Sequence, residues 1–138
     1  MEKLIQKFKE YLVGEKDASP HTVSAYLNDL TQFERFLKDS GHGYKDNQFQ
    51  VELIDRIAIR SFMSQLYEKS HSGASMGRKL STLSSFFKFL CRENYIKTNI
   101  IKTIPINTRI HEFFLIYINI MGMKIPSYII GFFQFLPY

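Results

Sequence analysis

Cysteine is nearly absent from this chain of 138 residues, since Cys91 is its only one. A single cysteine excludes an intramolecular disulfide and a zinc site of the CxxC type, and it is typical of a reducing cytoplasm. Cys91 is predicted to pack as a small apolar residue. Histidines are few and too scattered to share a metal ion, standing at His21, His42, His71 and His111. We therefore predict no metal and no cofactor.

Acidic residues are scarce between residues 69 and 97, which makes that segment strongly basic. The segment from Lys69 to Lys97 has Glu93 as its only acid, against Lys69, Arg78, Lys79, Lys88, Arg92 and Lys97. This excess favours a nucleic acid or another anionic partner over a small-molecule substrate, and a solvated basic face is the alternative. The N-terminus MEKLIQKFKEYL is amphipathic and contains acids, so it does not resemble a secretory signal. We expect a cytoplasmic protein.

The spacing of apolar residues predicts four helices with short connections, and hence a small all-α bundle. The first covers about residues 2–13. The second begins at Ser19 as N-cap with Pro20 in its first turn, and ends near residues 38–41. Residues 40–50 are predicted to be a loop. The third follows Asp55 as N-cap and ends near Ser70, and the fourth covers about residues 75–93. The apolar side chains expected to face inward from the third helix are Ile59, Phe62, Met63, Leu66 and Tyr67.

The second and fourth helices each combine an apolar stripe with a polar face. In the fourth helix the predicted core stripe is Leu80, Leu83, Phe87 and Leu90, with Met76 and Phe86 beside it. The polar faces carry small or basic residues suited to phosphate contacts: His21, Thr22, Ser24 and Asn28 on the second helix, and Ser75, Arg78, Lys79, Thr82 and Ser85 on the fourth. The alternative is that these residues only keep the surface soluble.

The composition changes after Lys97. Residues 100–138 contain eleven isoleucines and one acid, Glu112, and residues 113–136 are almost entirely apolar. Three interpretations stay open. The segment 113–136 could anchor the chain in a membrane, although Lys124 and Pro126 disfavour a spanning helix. It could pack on the bundle as a flap. The composition favours the third, an out-of-register or prematurely terminated end such as a frameshift produces.

Two stretches resemble the N-terminal domain of tyrosine recombinases, the family of phage integrases and Xer proteins. SPHTVSAYLNDLTQFERFL at 19–37 is similar to the family's S-x-x-T-x-x-x-Y-x-x-D-L-x-x-F-x-x-F-L. RKLSTLSSFFKFL at 78–90 is similar to R-x-L-S-x-L-R-S-F-Y-x-F-L, with Ser84 where the family usually has arginine. The resemblance ends near Asn99, which Ile100 follows in place of the family's proline. It is closest to the Xer branch, and to the XerC group more than the XerD group.

The resemblance implies a SAM-like core-binding domain, an orthogonal four-helix bundle, over residues 1–99. It implies that helices two and four lie at the major groove of double-stranded DNA, so that the nine polar residues above become the DNA-binding set. The family's cleavage residues, including a nucleophilic tyrosine, belong to a second domain. No residue of the predicted linker remnant and apolar tail, 100–138, matches their motifs. We therefore expect a non-enzymatic, truncated recombinase whose partners are DNA and a second recombinase subunit. The family's role is chromosome dimer resolution or DNA integration.

Two other functions fit the same residues. The chain could be a helical protein-interaction module that uses its first helix or its tail. It could also be a small protein attached to a membrane through residues 113–136, which we consider the weaker alternative.

Overall fold

The computed structural model describes residues 1–101, and the structural statements below refer to that part of the chain. Its elements, in chain order, are α1 (Glu2–Gly14), α2 (Pro20–Ser40), β1 (Tyr44–Lys45), β2 (Gln48–Phe49), a 3-10 turn (Val51–Leu53), α3 (Arg56–Glu68) and α4 (Gly73–Arg92). The four-helix all-α architecture is the one that the sequence predicts. The predictions for residues 102–138, including the membrane segment at 113–136, lie outside the described residues.

The ends of α2 are fixed by local chemistry. The Ser19 side chain accepts a hydrogen bond from the backbone N–H of Thr22 at 3.2 Å, which satisfies a donor that the helix leaves unpaired. At the other end Gly41 adopts a left-handed conformation, with φ of 75°, and its N–H donates to the Leu37 carbonyl at 2.9 Å. Both predicted boundaries of this helix are confirmed.

The start of α4 differs from the prediction by two residues. Ser72 is the N-cap, and its hydroxyl oxygen accepts from the backbone N–H of Ser75 at 3.2 Å. Asp55 caps α3 as predicted, accepting from the N–H of Ala58 at 2.8 Å. Each of the last three helices therefore begins at a side-chain cap. The start of α4 lies two residues before its predicted position, and α3 ends at Glu68, two residues before its predicted end near Ser70.

A small hairpin occupies the segment that was predicted to be a loop. β1 and β2 are antiparallel, with Tyr44 opposite Phe49, and the turn residues Asp46 and Asn47 have φ of 51° and 60°. Two consecutive positive φ values are those of the tight turns that suit hairpins. Strands of two residues are too short for an alternating pattern, so the only local signal is the pair Asp46 and Asn47, residue types that tolerate positive φ in a turn.

Two aromatic clusters form the centre of the bundle. Phe8 of α1 meets Phe86 of α4 edge to face, with ring centroids 5.3 Å apart, and Phe89 at 5.4 Å. Phe33 of α2 meets Phe62 of α3 at 5.1 Å. Edge-to-face pairs add to the stabilisation from burial alone. The clusters hold α1 and α3 to the pair formed by α2 and α4.

The inward face of α3 is confirmed except at its end. Ile59, Phe62, Met63 and Leu66 are buried, whereas Tyr67 is 36% exposed. Tyr67 immediately follows the buried Leu66, and successive helical residues point about 100° apart. Its position is therefore at the margin of the apolar stripe.

Candidate nucleic-acid interface

The predicted residues of α2 lie at the outside of the domain. His21, Thr22, Ser24 and Asn28 are all exposed, and Asn28 lies about one turn beyond Ser24. The first two belong to the first turn, where unpaired backbone N–H groups and the positive end of the dipole favour an anion. The Thr22 hydroxyl also lies 3.0 Å from the Ser19 hydroxyl. This end of α2 therefore presents small donors with little bulk.

The predicted residues of α4 divide into two groups. The Arg78 side chain is 47% exposed, and Ser75 and Ser85 are half-buried. Lys79 and Thr82, in contrast, are only 6% and 0% exposed. The expectation that all five lie on the face opposite the core is therefore wrong for Lys79 and Thr82.

The burial of these two residues has a geometric cause. Positions 75, 79, 82 and 86 follow the helical spacing of four, three and four, so they form one stripe. Phe86 on that stripe is fully buried, and the stripe faces α2. There Lys79 and Thr82 meet Asp29, which is itself only 2% exposed. A polar side chain can occupy an interior stripe when a buried partner satisfies it.

Asp29 is the centre of the polar contact between α2 and α4. Its Oδ1 accepts from the Lys79 ammonium at 2.8 Å and lies 3.0 Å from Arg78 Nη2. Its Oδ2 accepts from the Thr82 hydroxyl at 3.0 Å. One carboxylate thus faces two cations, which leaves a surplus of one positive charge at the edge of the interface. The sequence marks Asp29 as part of the recombinase-like motif but does not reveal this contact.

Arg92 is engaged elsewhere, at the C-terminal end of α4. Its guanidinium donates two hydrogen bonds to the Glu15 carboxylate, at 2.7 and 3.0 Å, and one to Glu93 at 2.9 Å. It also lies over the Tyr11 ring, 4.2 Å from the centroid. The hydrogen bonds between Arg92 and Glu15 lower the pKa of the Glu15 carboxyl and raise the pKa of Arg92. The charge of Arg92 is therefore largely balanced by these acids.

The basic excess between residues 69 and 97 is smaller at the surface than in the sequence. Lys79 and Arg92 are paired with acids from outside that segment, Asp29 and Glu15. Lys69, Lys88 and Lys97 are exposed. A count along the chain could not separate these groups, because the neutralising acids belong to α2 and to the turn after α1.

Neither a metal-ligand group nor a helix able to cross a membrane lies in the described part of the chain. Among residues 1–101 no three histidine, cysteine or acidic side chains are grouped so that they could hold a metal ion. None of the helices described there is both long and apolar enough to cross a bilayer.

Cys91 and His42 have ordinary packing environments. Cys91 is a half-buried free thiol. The His42 ring stacks on the Phe36 ring, with centroids 6.0 Å apart.

Asn99, after which Ile100 replaces the family's proline, is packed against the domain. Asn99 is 8% exposed, and its side-chain oxygen accepts from the backbone N–H of Ile101 at 3.0 Å. Ile101 is fully buried. The chain is therefore still packed against the domain at the point where the resemblance ends. The tail residues whose types occur in the family's cleavage site, Arg109, His111, Tyr117, Lys124, Tyr128 and Tyr138, lie outside the described residues.

The family model and the similar proteins that match this chain point to the same family. Residues 5–94 match the model of the phage integrase N-terminal SAM-like domain. The chain is 42% identical over 99 residues to the tyrosine recombinase XerC of Oceanobacillus iheyensis, covering 72% of this chain and 30% of that protein. It is 34% identical over 110 residues to XerC of Lacticaseibacillus casei, covering 80% and 35%. No solved structure matches significantly. The chain thus spans about a third of the length of the curated relatives it matches.

Proposed function

Because this chain belongs to the family of phage integrase N-terminal SAM-like domains, we propose that residues 1–99 bind double-stranded DNA as the core-binding domain of an Xer-type recombinase. The observation that carries the proposal is the edge shared by α2 and α4. Arg78 lies there beside Asp29 with a surplus positive charge. His21, Thr22, Ser24 and Asn28 are exposed polar residues of α2. Ser75 and Ser85 lie on α4. Side chains of this kind contact phosphates and fix the register of a protein on DNA.

The structure changes the composition of the proposed set. Lys79 and Thr82 are bonded to Asp29 in the interior, so we do not propose that they contact DNA directly. Arg78 is the only lysine or arginine left in the proposed DNA-facing set. The proposed DNA-facing set is therefore His21, Thr22, Ser24, Asn28, Ser75, Arg78 and Ser85.

Strand cleavage is not proposed for these 138 residues. The aligned segments cover only 30% and 35% of the two XerC relatives. We propose that the activity of the described domain is binding, in the setting of site-specific recombination beside a recombinase subunit. Chromosome dimer resolution or DNA integration in the cytoplasm is the proposed role.

A salt series tests the proposal. We expect a fluorescently labelled duplex to bind with a dissociation constant of roughly 10⁻⁴–10⁻⁶ M, and the affinity to fall steeply between about 50 and 200 mM salt as counterions return to the phosphates. Arg78→Ala should weaken binding and reduce the slope of log K against log salt by about 1. Lys88→Ala is the matched control, because Lys88 is an exposed cation of α4 nine residues after Lys79 and therefore projects away from α2.

Two results would contradict the proposal. One is a wild-type domain that does not bind the duplex at low salt. The other is an equal loss in the Arg78→Ala and Lys88→Ala variants, which would place the contact elsewhere. Concentration-dependent self-association without any response to DNA would favour the protein-interaction module instead.

A further inference from the structure

Asp29 connects an interior ion pair to a side chain at the surface. The same oxygen, Oδ1, contacts the buried Lys79 ammonium at 2.8 Å and the half-exposed Arg78 guanidinium at 3.0 Å. Oδ2 is held by Thr82 at 3.0 Å. The carboxylate therefore cannot rotate without breaking a buried hydrogen bond, and it presents a fixed acceptor to Arg78.

Arg78 uses only one edge of its guanidinium for this contact. The contact with Asp29 involves Nη2, whereas a guanidinium has five N–H donors in a planar fork. The side chain is 47% exposed. Nη2 is thus held in an ion pair with Asp29, and other donors of the guanidinium remain for a ligand in solution.

Lys79 makes the net charge of the group formed by Asp29, Arg78 and Lys79 positive. An aspartate paired with Arg78 alone would cancel the arginine charge and leave no net attraction for a phosphate. Because Lys79 already balances Asp29 from the interior, the charge of Arg78 remains as a surplus at the surface. An exposed arginine usually loses side-chain freedom when it binds, and a fixed contact reduces that loss.

We propose that Asp29 is a positioning residue for DNA binding, which holds the Arg78 guanidinium at the edge between α2 and α4 so that its free donors meet a backbone phosphate. This inference rests on the proposed function. Asp29 does not contact the DNA itself. It acts by holding Arg78 in place. Lys79 acts in the same unit by keeping the acid neutralised from inside.

A charge-balanced variant tests the inference. Asp29→Asn with Lys79→Gln removes one negative and one positive charge, so the net charge of the chain is unchanged while Arg78 loses its anchor. We expect the affinity for the labelled duplex to fall several-fold and the salt slope to decrease by about 1, as in Arg78→Ala. Lys45→Gln with Asp46→Asn in the exposed hairpin is the matched control, and it should bind like the wild type.

A second variant covers the case in which the first does not fold. Arg78→Lys keeps the charge and leaves the buried pair intact, but an ammonium cannot offer a planar fork with one edge on Asp29 and the other on a phosphate. We expect several-fold weaker binding with an unchanged circular dichroism spectrum. Wild-type affinity in Arg78→Lys would overturn the inference.

The outcomes separate the two proposals. A wild-type domain that does not bind duplex DNA would refute the proposed function, and the inference with it. Binding that is lost in Arg78→Ala but unchanged in a folded Asp29→Asn/Lys79→Gln variant would refute the positioning role alone.

Discussion

Lys79 and Asp29 form a buried ion pair across 50 residues of sequence, with 2.8 Å between the ammonium and Oδ1. The pair lies between α2 and α4, the two helices that carry the proposed DNA-facing residues. Its members are nearly inaccessible to water, at 6% and 2% exposure. In such a position each charge depends on the other, because neither can be hydrated if its partner is removed.

Replacing Lys79 should therefore act on stability. We expect Lys79→Ala to lower the free energy of unfolding by about 3 kcal/mol, the low end for a broken buried pair, because Arg78 still faces the orphaned carboxylate. Urea unfolding followed by circular dichroism measures this change. Lys88→Ala, at an exposed position of the same helix, should change the stability by less than about 0.5 kcal/mol. Equal effects in the two variants would show that Lys79 is not buried in a pair.

The cap of α2 leads to a second prediction. Ser19→Ala removes the acceptor for the N–H of Thr22 and should cost about 1 kcal/mol in thermal or urea unfolding. Ser24→Ala, in the interior of the same helix, should be neutral or slightly stabilising, since alanine is the better helix former. An unchanged stability in Ser19→Ala would mean that the helix does not depend on this cap.

Gly41 leads to a third prediction through its backbone conformation. Its φ of 75° is unfavourable for a residue with a Cβ, so Gly41→Ala should destabilise the domain by about 1 kcal/mol even though the site has open space. Gly77 is the matched control, because it lies inside α4, also with open space around it. Gly77→Ala should stabilise by up to about 1 kcal/mol. Changes of the same sign in the two variants would contradict the assigned conformation.

The Arg92 contacts make part of the stability dependent on pH. The pKa of Glu15 lies below its ordinary 4.5, because the ionised carboxylate accepts hydrogen bonds from Arg92. The stabilisation is therefore present above about pH 4.5 and is lost as the pH falls through the lowered pKa. We expect the Arg92→Met variant to be less stable than the wild type at pH 7, and the difference to shrink on acidification below about pH 4.5.

A second substitution identifies the group that titrates. In a Glu15→Gln background the destabilisation caused by Arg92→Met should lose most of its pH dependence, since the amide does not ionise. Guanidinium chloride would screen the ion pair, so urea is the suitable denaturant. An effect of Arg92→Met that stays constant from about pH 7 to about pH 3 with Glu15 in place would contradict the assignment.

Local signals in the sequence predict four helices and most of their ends. Ser19, Pro20 and Gly41 bound α2 through chemistry that acts within a few residues, and Asp55 begins α3 in the same way. The apolar stripes of α3 and α4 follow from helical spacing. The family resemblance depends on these same features, which is why two short segments suffice to recognise it.

The wrong predictions about the candidate site concern contacts between distant segments. Polarity alone predicts a surface position for Lys79 and Thr82, whereas their burial depends on an acid 50 and 53 residues away. The free charge of the basic segment is overestimated for the same reason, since Glu15 lies 77 residues before Arg92. Spacing along one helix predicts which side chains share a face, but it does not show which face meets another helix when both carry polar residues.

The distance between Asp29 and Lys79 along the chain also has a consequence for synthesis. A ribosome adds roughly 5–20 residues per second, so Asp29 is made about 3 to 10 s before its partner. During that interval α2 has an apolar face without α4 to cover it and a carboxylate that favours water over the interior. Completion of the domain therefore waits for the last helix, and a nascent chain that stalls before residue 79 would be a substrate for chaperones or proteases.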